Sequence, residues 1–376
     1  MKKFKVGGQF SVVGAFDEAL KRLECQLENV SQAEWDKFAR MTYLQNHTEP
    51  EYYVQDVYDT PTKEITNKHG SIDIMMFSPP CQAFSLAGNR KGEEDKRGVL
   101  FYNSHEFIKT NKPRFFIFEN VKGLLSDDSG KTFGRWVDYL GGKSINGIPN
   151  LFPHEESVPY HIYYQVLNAK HYGIPQNRER IFIVGIRDDK DNRFQFPTEI
   201  PLTKRLKDVL EDSVDEKYYL SDKMVSFFVR HTEKHQAKGN GFKFKPKENE
   251  SIAQAVTTKA GTRPDDNYIK VKSATSNGYE TAKIGEDSIN LEHPNSKTRR
   301  GGGAKTGLYE VENYRIRKLT PIECFRLMDF PDSLVENARK VNMSDSQLYK
   351  QAGNSIAVGV LERILKPIVN ILNEKN

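Results

Sequence analysis

The sequence of 376 residues contains little cysteine and no long apolar run. Its three cysteines, Cys25, Cys81 and Cys324, are an odd number and lie far apart, which favours reduced thiols over a disulfide framework or a zinc site. No stretch approaches the roughly 18 apolar residues of a membrane-spanning helix, and the first residues lack the apolar core of a signal peptide. We therefore expect a cytoplasmic protein without a metal site or a membrane segment.

An excess of charge of one sign is found in only one part of the chain. The formal net charge is +5, and between residues 231 and 318 there are 17 Lys and Arg against 11 Asp and Glu. A basic segment of this kind suits contact with a polyanion such as nucleic acid. A solvated, lysine-rich surface would have the same composition, so the charge alone does not decide between the two.

Two regions of different character follow each other along the sequence. From residue 4 to about residue 185, short apolar runs alternate with helix-like segments, which predicts a mixed, mostly parallel sheet of the α/β class. From about residue 187 to 314 the sequence is polar, rich in lysine and interrupted by glycine, which indicates a second, smaller domain. Beyond it, Thr320 and Pro321 predict the N-cap and the first residue of a helix.

Candidate catalytic groups stand at the ends of three predicted strands. Cys81 follows the apolar run IDIMMF and two prolines, and Glu119 lies near the end of the run RFFIFENV. Arg178 and Arg180 open the run RERIFIVGI. Ligands bind at strand ends in open α/β sheets, and a thiolate is favoured by nearby positive charge. A packed structural cysteine and an ion-paired surface carboxylate are the alternatives that these positions leave open.

Five segments, in order, resemble the motifs of the DNA cytosine-5 methyltransferases of bacterial restriction-modification systems. They are SPPCQAFSLAG, FIFENVKGLL, YGIPQNRERIFIVGI, RKLTPIECFRLMDFPD and QAGNSIAVGVLERI. The resemblance covers nearly all of the chain outside residues 190 to 315. It implies a Rossmann-like, S-adenosylmethionine-dependent methyltransferase domain made of residues 1–190 and 316–376, with a smaller DNA-binding target-recognition domain at residues 191–315 inserted into it.

The resemblance also implies a reaction and its catalytic residues. Enzymes of this family add a cysteine thiolate to C6 of a flipped-out cytosine, so that C5 can take the methyl group of S-adenosylmethionine. By match, Cys81 is the nucleophile and Glu119 binds the N3 and the exocyclic amine of the base. Arg180, together with Arg178, is expected to hold the base carbonyl. The expected substrate is a short specific sequence of double-stranded DNA.

The resemblance places the cofactor, S-adenosylmethionine, between the two ends of the chain. The expected cofactor-binding residues are Phe10, Gly14, Glu34, Trp35, Asp56, Val57, Pro80, Leu100, Asn354, Ser355 and Ile356. The turn FSVVGAF departs from the family pattern, because Val12 replaces a glycine and Gly8 replaces an acidic residue. A β-branched residue resists positive φ and fills space beside the cofactor. We therefore expect weakened cofactor binding.

DNA contacts are expected from both regions of the chain. The candidates are Gln82, Ser85, Thr257, Thr258, Arg263, Arg299 and Arg300. Arginine side chains suit guanine edges and phosphates, and phosphate contacts are the more frequent kind. The resemblance further implies a monomer, encoded by a bacterium or a phage, with a cognate restriction endonuclease as a possible partner.

Two other functions fit the same sequence. A degenerate homologue that binds DNA without transferring methyl groups would explain the altered turn at Val12. An RNA cytosine methyltransferase of the same fold is less favoured, because the sequence has a long variable insert and no second cysteine near the catalytic segment.

Overall fold

A computed structural model describes residues 3–80, 99–237, 239, 243–272, 279–284, 288–292 and 312–374. The strands are β1 (Lys3–Gln9), β2 (Gln26–Ala33), β3 (Tyr52–Val54), β4 (Ile74–Phe77), β5 (Phe115–Val121), β6 (Ser144–Ile145), β7 (Ile148–Pro149), β8 (Tyr160–Asn168), β9 (Gln176–Asn177), β10 (Glu179–Arg187), β11 (Ala253–Gln254), β12 (Tyr268–Lys272), β13 (Tyr279–Ile284), β14 (Ser288–Glu292) and β15 (Glu312–Lys318). The helices are α1 (Ala15–Arg22), α2 (Lys37–Asn46), α3 (Thr62–His69), α4 (Val99–Asn111), α5 (Lys131–Leu140), α6 (Asp222–Gln236), α7 (Pro321–Leu327), α8 (Asp332–Lys340), α9 (Asp345–Asn354) and α10 (Val358–Glu374). None of these helices is long and apolar enough to cross a membrane.

Nine of the described strands form one mixed sheet, in the order β3-β2-β1-β4-β5-β10-β8-β6-β7. The strands from β3 to β5 in this order run parallel to one another. Strand β10 runs antiparallel to both of its neighbours, β5 and β8. The mixed, mostly parallel α/β sheet predicted from the sequence is confirmed. Because five neighbouring strands are parallel, their carboxyl ends meet at one edge, where ligands bind in such sheets.

The central strands are buried on both faces. In β4, Ile74 and Met76 belong to the hydrophobic cluster that includes residues of α1 and α10, whereas Met75 and Phe77 belong to the cluster with residues of α4 and α5. This alternation follows from the two-residue period of a strand. It also explains why the strand is apolar at every position, as parallel strands covered by helices on both sides are.

The C-terminal helix of the chain lies next to the N-terminal helix. Helix α10 packs against α1, and Arg22 of α1 pairs with Asp329 at 2.7 Å and with Glu362 of α10 at 3.6 Å. Residues from both ends of the chain therefore share one hydrophobic cluster. The boundaries at residues 190 and 316 of a discontinuous catalytic domain stay a prediction.

A second sheet lies in the region where the smaller domain is expected. Its four strands are antiparallel and follow the order β12-β15-β13-β14. Helix α6 covers part of it, because Val225 and Phe228 of this helix cluster with Tyr268, Tyr314 and Ile316 of the sheet. This cluster gives the second sheet a hydrophobic core of its own.

Strand β15 passes into α7 through a buried ion pair. Arg317 and Glu323 have side chains that are 3% and 0% exposed, with two nitrogen–oxygen distances of 2.7 and 2.8 Å. Thr320 is the N-cap and Pro321 the first residue of the helix, as predicted. The Glu323 carboxylate accepts from the Thr320 N–H at 2.8 Å and the Thr320 hydroxyl accepts from the Glu323 N–H at 3.2 Å. The Glu323 carboxylate therefore binds both the N-cap residue of α7 and the end of β15.

We predict that Glu323→Ala lowers the free energy of unfolding by about 3–5 kcal/mol, because it leaves the Arg317 charge buried without its partner. Urea unfolding followed by circular dichroism measures this change. Replacing both residues, Arg317→Met with Glu323→Leu, should recover much of the loss, since no buried charge then remains.

The matched control is Glu216→Ala, which breaks the exposed pair of Glu216 with Arg315. Surface ion pairs contribute little to stability, so this variant should unfold close to the wild-type urea concentration. Equal losses in the two single variants would show that the buried pair has no special role.

Candidate active site

An open cleft lies at the carboxyl ends of the parallel strands. Its volume is about 390 Å³, a size typical of sites for small molecules. Eight of the residues expected to act in catalysis or cofactor binding line it, namely Phe10, Glu34, Trp35, Pro80, Glu119, Arg178, Arg180 and Asn354. Residues from both ends of the chain therefore share one cleft.

Five of the expected site residues lie outside the described residues. They are Cys81, Gln82, Ser85, Arg299 and Arg300. Pro80, the last described residue before Cys81, lines the cleft. Its position brings the chain to the cleft directly before the expected nucleophile.

Glu119 is a buried carboxylate with two fixed partners. The residue is 6% exposed, and its Oε1 lies 3.1 Å from Nε of Arg180 on the adjacent strand β10. Its Oε2 accepts a hydrogen bond from the Ser78 hydroxyl at 2.7 Å. Each carboxylate oxygen can accept a further hydrogen bond, so Glu119 can bind an N–H donor that enters the cleft while its charge is balanced by Arg180.

Ser78 and Asn120 belong to this site, although the sequence analysis did not single them out. The Asn120 side-chain amide donates to the carbonyl of Pro79 at 3.1 Å, and Ser78 bonds Glu119. The segment that leads to residue 81 is therefore tied to β5 at two consecutive positions. The only signal in the sequence is that both residues adjoin apolar strand runs, and this signal is too common to be specific.

Arg178 is bound by backbone carbonyls from two other parts of the chain. Its side chain is buried, and its two terminal nitrogens donate to the backbone carbonyls of Val256 at 3.1 Å, Gly353 at 3.0 Å and Ser355 at 2.7 Å. Burial and the neighbouring Arg180 lower the pKa of Arg178. Both terminal nitrogens of Arg178 thus face backbone oxygens, and the expected base contacts of Arg178 and Arg180 stay predictions.

The turn after β1 adopts the conformation of a glycine-rich turn despite its valine. Phe10, Val12 and Gly14 have φ of 65°, 50° and 83°. A β-branched residue with positive φ is strained by roughly 1–3 kcal/mol. The Val12 N–H donates to Oε2 of Glu34 at 2.8 Å, and this bond holds the strained residue in place.

Glu34 and Trp35 follow β2 and face the same cleft. Besides Val12, the Glu34 carboxylate accepts the N–H of Asp36 at 2.8 Å through its other oxygen, and burial raises its pKa. Each oxygen keeps capacity for a hydroxyl donor such as that of a ribose. The Trp35 side chain is 67% exposed, so its ring is free to stack on a flat heterocycle.

The other expected cofactor residues fall into two groups. Ser355 and Ile356 are buried and line a small cavity beside the turn. Asp56 and Val57 follow β3, where Asp56 accepts the N–H of Tyr58 at 3.1 Å, and Leu100 lies at the start of α4. Contacts of these residues with a cofactor stay a prediction.

The segment with Thr257 and Thr258 packs directly on Gly353. A Cβ on Gly353 would lie 2.3 Å from the Thr258 nitrogen and 2.4 Å from the Thr257 carbonyl carbon, so only glycine allows this approach. Arg263 lies farther along and pairs with Asp265 at 3.0 Å. The predicted DNA contacts of these residues stay predictions.

The fold is shared with a solved methyltransferase, and the lining of the cleft suits S-adenosylmethionine as a cofactor. The crystal structure of S. pombe Dnmt2 methyltransferase superposes with a TM-score of 0.66 at 16% identity, covering 99% of this chain and 100% of that one. The exposed Trp35, the Glu34 carboxylate and the size of the cleft fit the adenosine part of that cofactor.

The sequence comparisons define the family. The model of the C-5 cytosine-specific DNA methylases matches residues 4–370. The type II methyltransferase M.HpaII of Haemophilus parainfluenzae is 32% identical over 374 residues, covering 99% of this chain and 90% of that protein. The orphan methyltransferase M.SPRI of Bacillus phage SPR is 30% identical over 456 residues, covering 98% of each. The chain belongs to the C-5 cytosine-specific DNA methylase family.

We predict that Val12→Gly raises the free energy of unfolding by about 1 kcal/mol, because relief of the strain exceeds the added flexibility of glycine. The variant should also bind S-adenosylhomocysteine more tightly, since the space beside the turn opens. Urea unfolding and calorimetric titration measure the two effects. Val12→Ala is the control, because alanine removes volume and retains the cost of positive φ. Equal gains from alanine and glycine would contradict the role of backbone strain.

We predict that Gly353→Ala weakens DNA binding about tenfold, equivalent to about 1.4 kcal/mol, because the new methyl group displaces the backbone of Thr257 and Thr258. Fluorescence anisotropy with a labelled duplex measures the affinity. Gly134→Ala is the matched control, since Gly134 lies in α5 with nothing within 4 Å of the added Cβ. Unchanged DNA affinity in Gly353→Ala would show that the contact does not position this segment.

Proposed function

We propose that the protein transfers a methyl group from S-adenosylmethionine to C5 of a flipped-out cytosine within a short specific sequence of duplex DNA. The observation that carries this proposal is the Glu119–Arg180 pair at 3.1 Å in the cleft, beside the segment that leads to Cys81. A carboxylate and a guanidinium placed together match the N–H donors and the carbonyl acceptor of a cytosine ring. The active domain comprises residues 1–190 and 316–376, and residues 191–315 recognise the target.

The proposed reaction begins at Cys81. The thiolate would form a bond to C6, which makes C5 nucleophilic, and S-adenosylmethionine, held by Glu34, Trp35 and Asn354, would supply the methyl group that C5 takes. A base then removes the C5 proton, the double bond re-forms and the thiolate leaves C6. A proton from solvent adds to N3 as the thiolate adds to C6, and the Glu119 carboxylate accepts a hydrogen bond from that N–H, which stabilises the ring while the adduct exists.

The other cysteines support the choice of Cys81. Cys324 is completely buried, and burial raises the pKa of its thiol well above the usual range. Cys25 is half-buried, and burial raises its pKa as well. A thiol with a raised pKa is a poor source of thiolate near neutral pH. Neither residue lines the cleft.

Access to C6 requires that the base leaves the helix. The carbon lies inside the stack of a duplex, so flipping costs roughly a few kcal/mol, which contacts with the protein offset. In the proposal, Gln82 and Ser85 bind the extruded nucleotide, and Thr257, Thr258 and the arginines of the recognition region hold the duplex. Glu34, Trp35 and Asn354 hold the cofactor, which supplies the electrophilic methyl group.

The biological setting is proposed from the relatives. M.HpaII is named a type II methyltransferase and M.SPRI an orphan methyltransferase. We infer a cytoplasmic, monomeric modification enzyme from a bacterium or a phage. A restriction endonuclease that cuts the same DNA sequence is its partner if the enzyme follows M.HpaII, whereas it acts alone if it follows M.SPRI.

A second candidate function is a homologue that binds DNA without methyl transfer. The strained Val12 in the cofactor turn is the observation that favours it. The turn nevertheless forms, and Glu34 holds it, so the active enzyme is the better-supported proposal.

The decisive experiment compares wild type with Cys81→Ser in the transfer of labelled methyl groups to sheared genomic DNA, followed by sequencing of the modified positions. We expect wild type to methylate one short motif and Cys81→Ser to lose at least about a thousandfold in rate, since the covalent step is lost. Cys25→Ser is the control and should retain activity. Transfer that survives in Cys81→Ser would remove the proposed nucleophile, and no transfer by wild type would favour the inactive homologue.

A further inference from the structure

A small cavity lies beside the cofactor turn, next to the main cleft. Phe10, Val12 and Ser78 line both spaces. The volume of the small cavity is about 20 Å³, enough for one group of the size of a water molecule. An ammonium group has nearly this size.

Three buried oxygen atoms on residues that line this cavity have no hydrogen-bond partner among the described residues. They are Oε1 of Gln32 and Oγ of Ser355, on residues that are each 1% exposed, and Oγ of Ser11. A buried polar atom without a partner costs about 1–3 kcal/mol, and such atoms are rare in native proteins unless a water or a ligand completes them.

The absence of a side chain at residue 8 makes room for the Gln32 oxygen. A Cβ on Gly8 would lie 2.4 Å from Oε1 of Gln32. Any other residue at position 8 would therefore displace this amide from the cavity. The amide oxygen occupies the space that a side chain on β1 would otherwise fill.

Hydrogen bonds behind Gln32 fix which end of its amide faces the cavity. Oδ1 of Asp17 accepts from the Tyr43 hydroxyl at 2.8 Å and from the Asn29 amide nitrogen at 3.2 Å. The Asn29 oxygen is therefore directed at Gln32, and it accepts from the Gln32 nitrogen at 3.3 Å. Because of these hydrogen bonds, the side-chain oxygen of Gln32, and not its side-chain nitrogen, points towards Gly8 and the cavity.

A hydrogen-bond acceptor in so small a cavity beside the cofactor cleft can bind only a small hydrogen-bond donor of the cofactor. We propose that Oε1 of Gln32 binds the α-ammonium group of S-adenosylmethionine, with Ser355 as a second acceptor. This inference rests on the assignment of that cofactor. The carboxylate of the same amino-acid moiety does not fit beside Oε1 of Gln32, because two oxygen acceptors would face each other without a proton. The Ser355 hydroxyl can donate as well as accept, so the selection of the ammonium group depends on Gln32.

The test measures ligand binding by titration calorimetry in the absence of DNA. The two probes are S-adenosylhomocysteine and its analogue in which hydrogen replaces the amino group. Wild type should bind S-adenosylhomocysteine at least about tenfold more tightly, as expected for a hydrogen bond to a charged group. Gln32→Met should lose most of this preference by weakening the first probe and leaving the second nearly unchanged.

Gln32→Glu is the matched variant. Gln32→Met and Gln32→Glu both remove the N–H donor to Asn29, but glutamate keeps an oxygen acceptor at the cavity. Gln32→Glu should therefore still bind S-adenosylhomocysteine more tightly than the analogue without the amino group. Gln26→Met, on the exposed start of the same strand, should behave as wild type. Binding of the deaminated analogue also reports whether the adenosine part of the cleft is intact in each variant.

Three results would overturn the inference. Equal weakening of both probes in Gln32→Met would show a purely structural role for Gln32. Equal binding of both probes by wild type would show that the cavity holds a water molecule only. Binding of neither probe would remove the site. A protein that shows the expected preference and methylates no cytosine would leave this inference standing and remove the proposed function.

Discussion

The buried guanidinium of Arg178 is the constraint on which the arrangement of the site depends. It lies between β9 and β10 and donates to Val256 before the Thr257 segment and to Gly353 and Ser355 at the junction of α9 and α10. A buried cation is stable only where oxygen atoms replace its water, so these backbone segments must converge on it. The same convergence explains why residue 353 is glycine. The wall of the cleft and the segment with Thr257 and Thr258 are therefore fixed relative to each other.

The features that the sequence predicts correctly are those encoded by local signals. The apolar runs of β4, β5 and β10 predict buried strands because their period and composition are visible within a few residues, and the Thr320–Pro321 pair predicts a helix start. The contacts of Arg178 could not be predicted, because Val256 lies 78 positions away and nothing in either segment indicates the other. The same holds for Gln32, whose orientation depends on Asp17 through Asn29. The placement of Cys81 stays a prediction.

The cofactor turn shows how hydrogen bonds can outweigh a residue preference. Glycine is expected at position 12 because φ is positive there, and the structure has a valine with φ of 50°. The cost of about 1–3 kcal/mol is similar to the contribution of one hydrogen bond to a charged group, about 1.5–3 kcal/mol, and Val12 donates such a bond to Glu34. Phe10 adds a backbone bond to Ala33 at 2.7 Å. The sequence departs from the family pattern at this turn, and the backbone nevertheless has positive φ at Phe10, Val12 and Gly14.

A continuous set of hydrogen bonds joins the segment before Cys81 to the segment with Thr257 and Thr258. Ser78 is bonded to Glu119 and Pro79 to Asn120, both on β5. Strand β5 is paired with β10, the strand that follows Arg178. Sites carried by strands and supported in this way are held more precisely than sites on loops. In the proposed reaction the cytosine must reach the side chains at this strand end, and it can do so only by leaving the duplex, because its C6 lies inside the base stack.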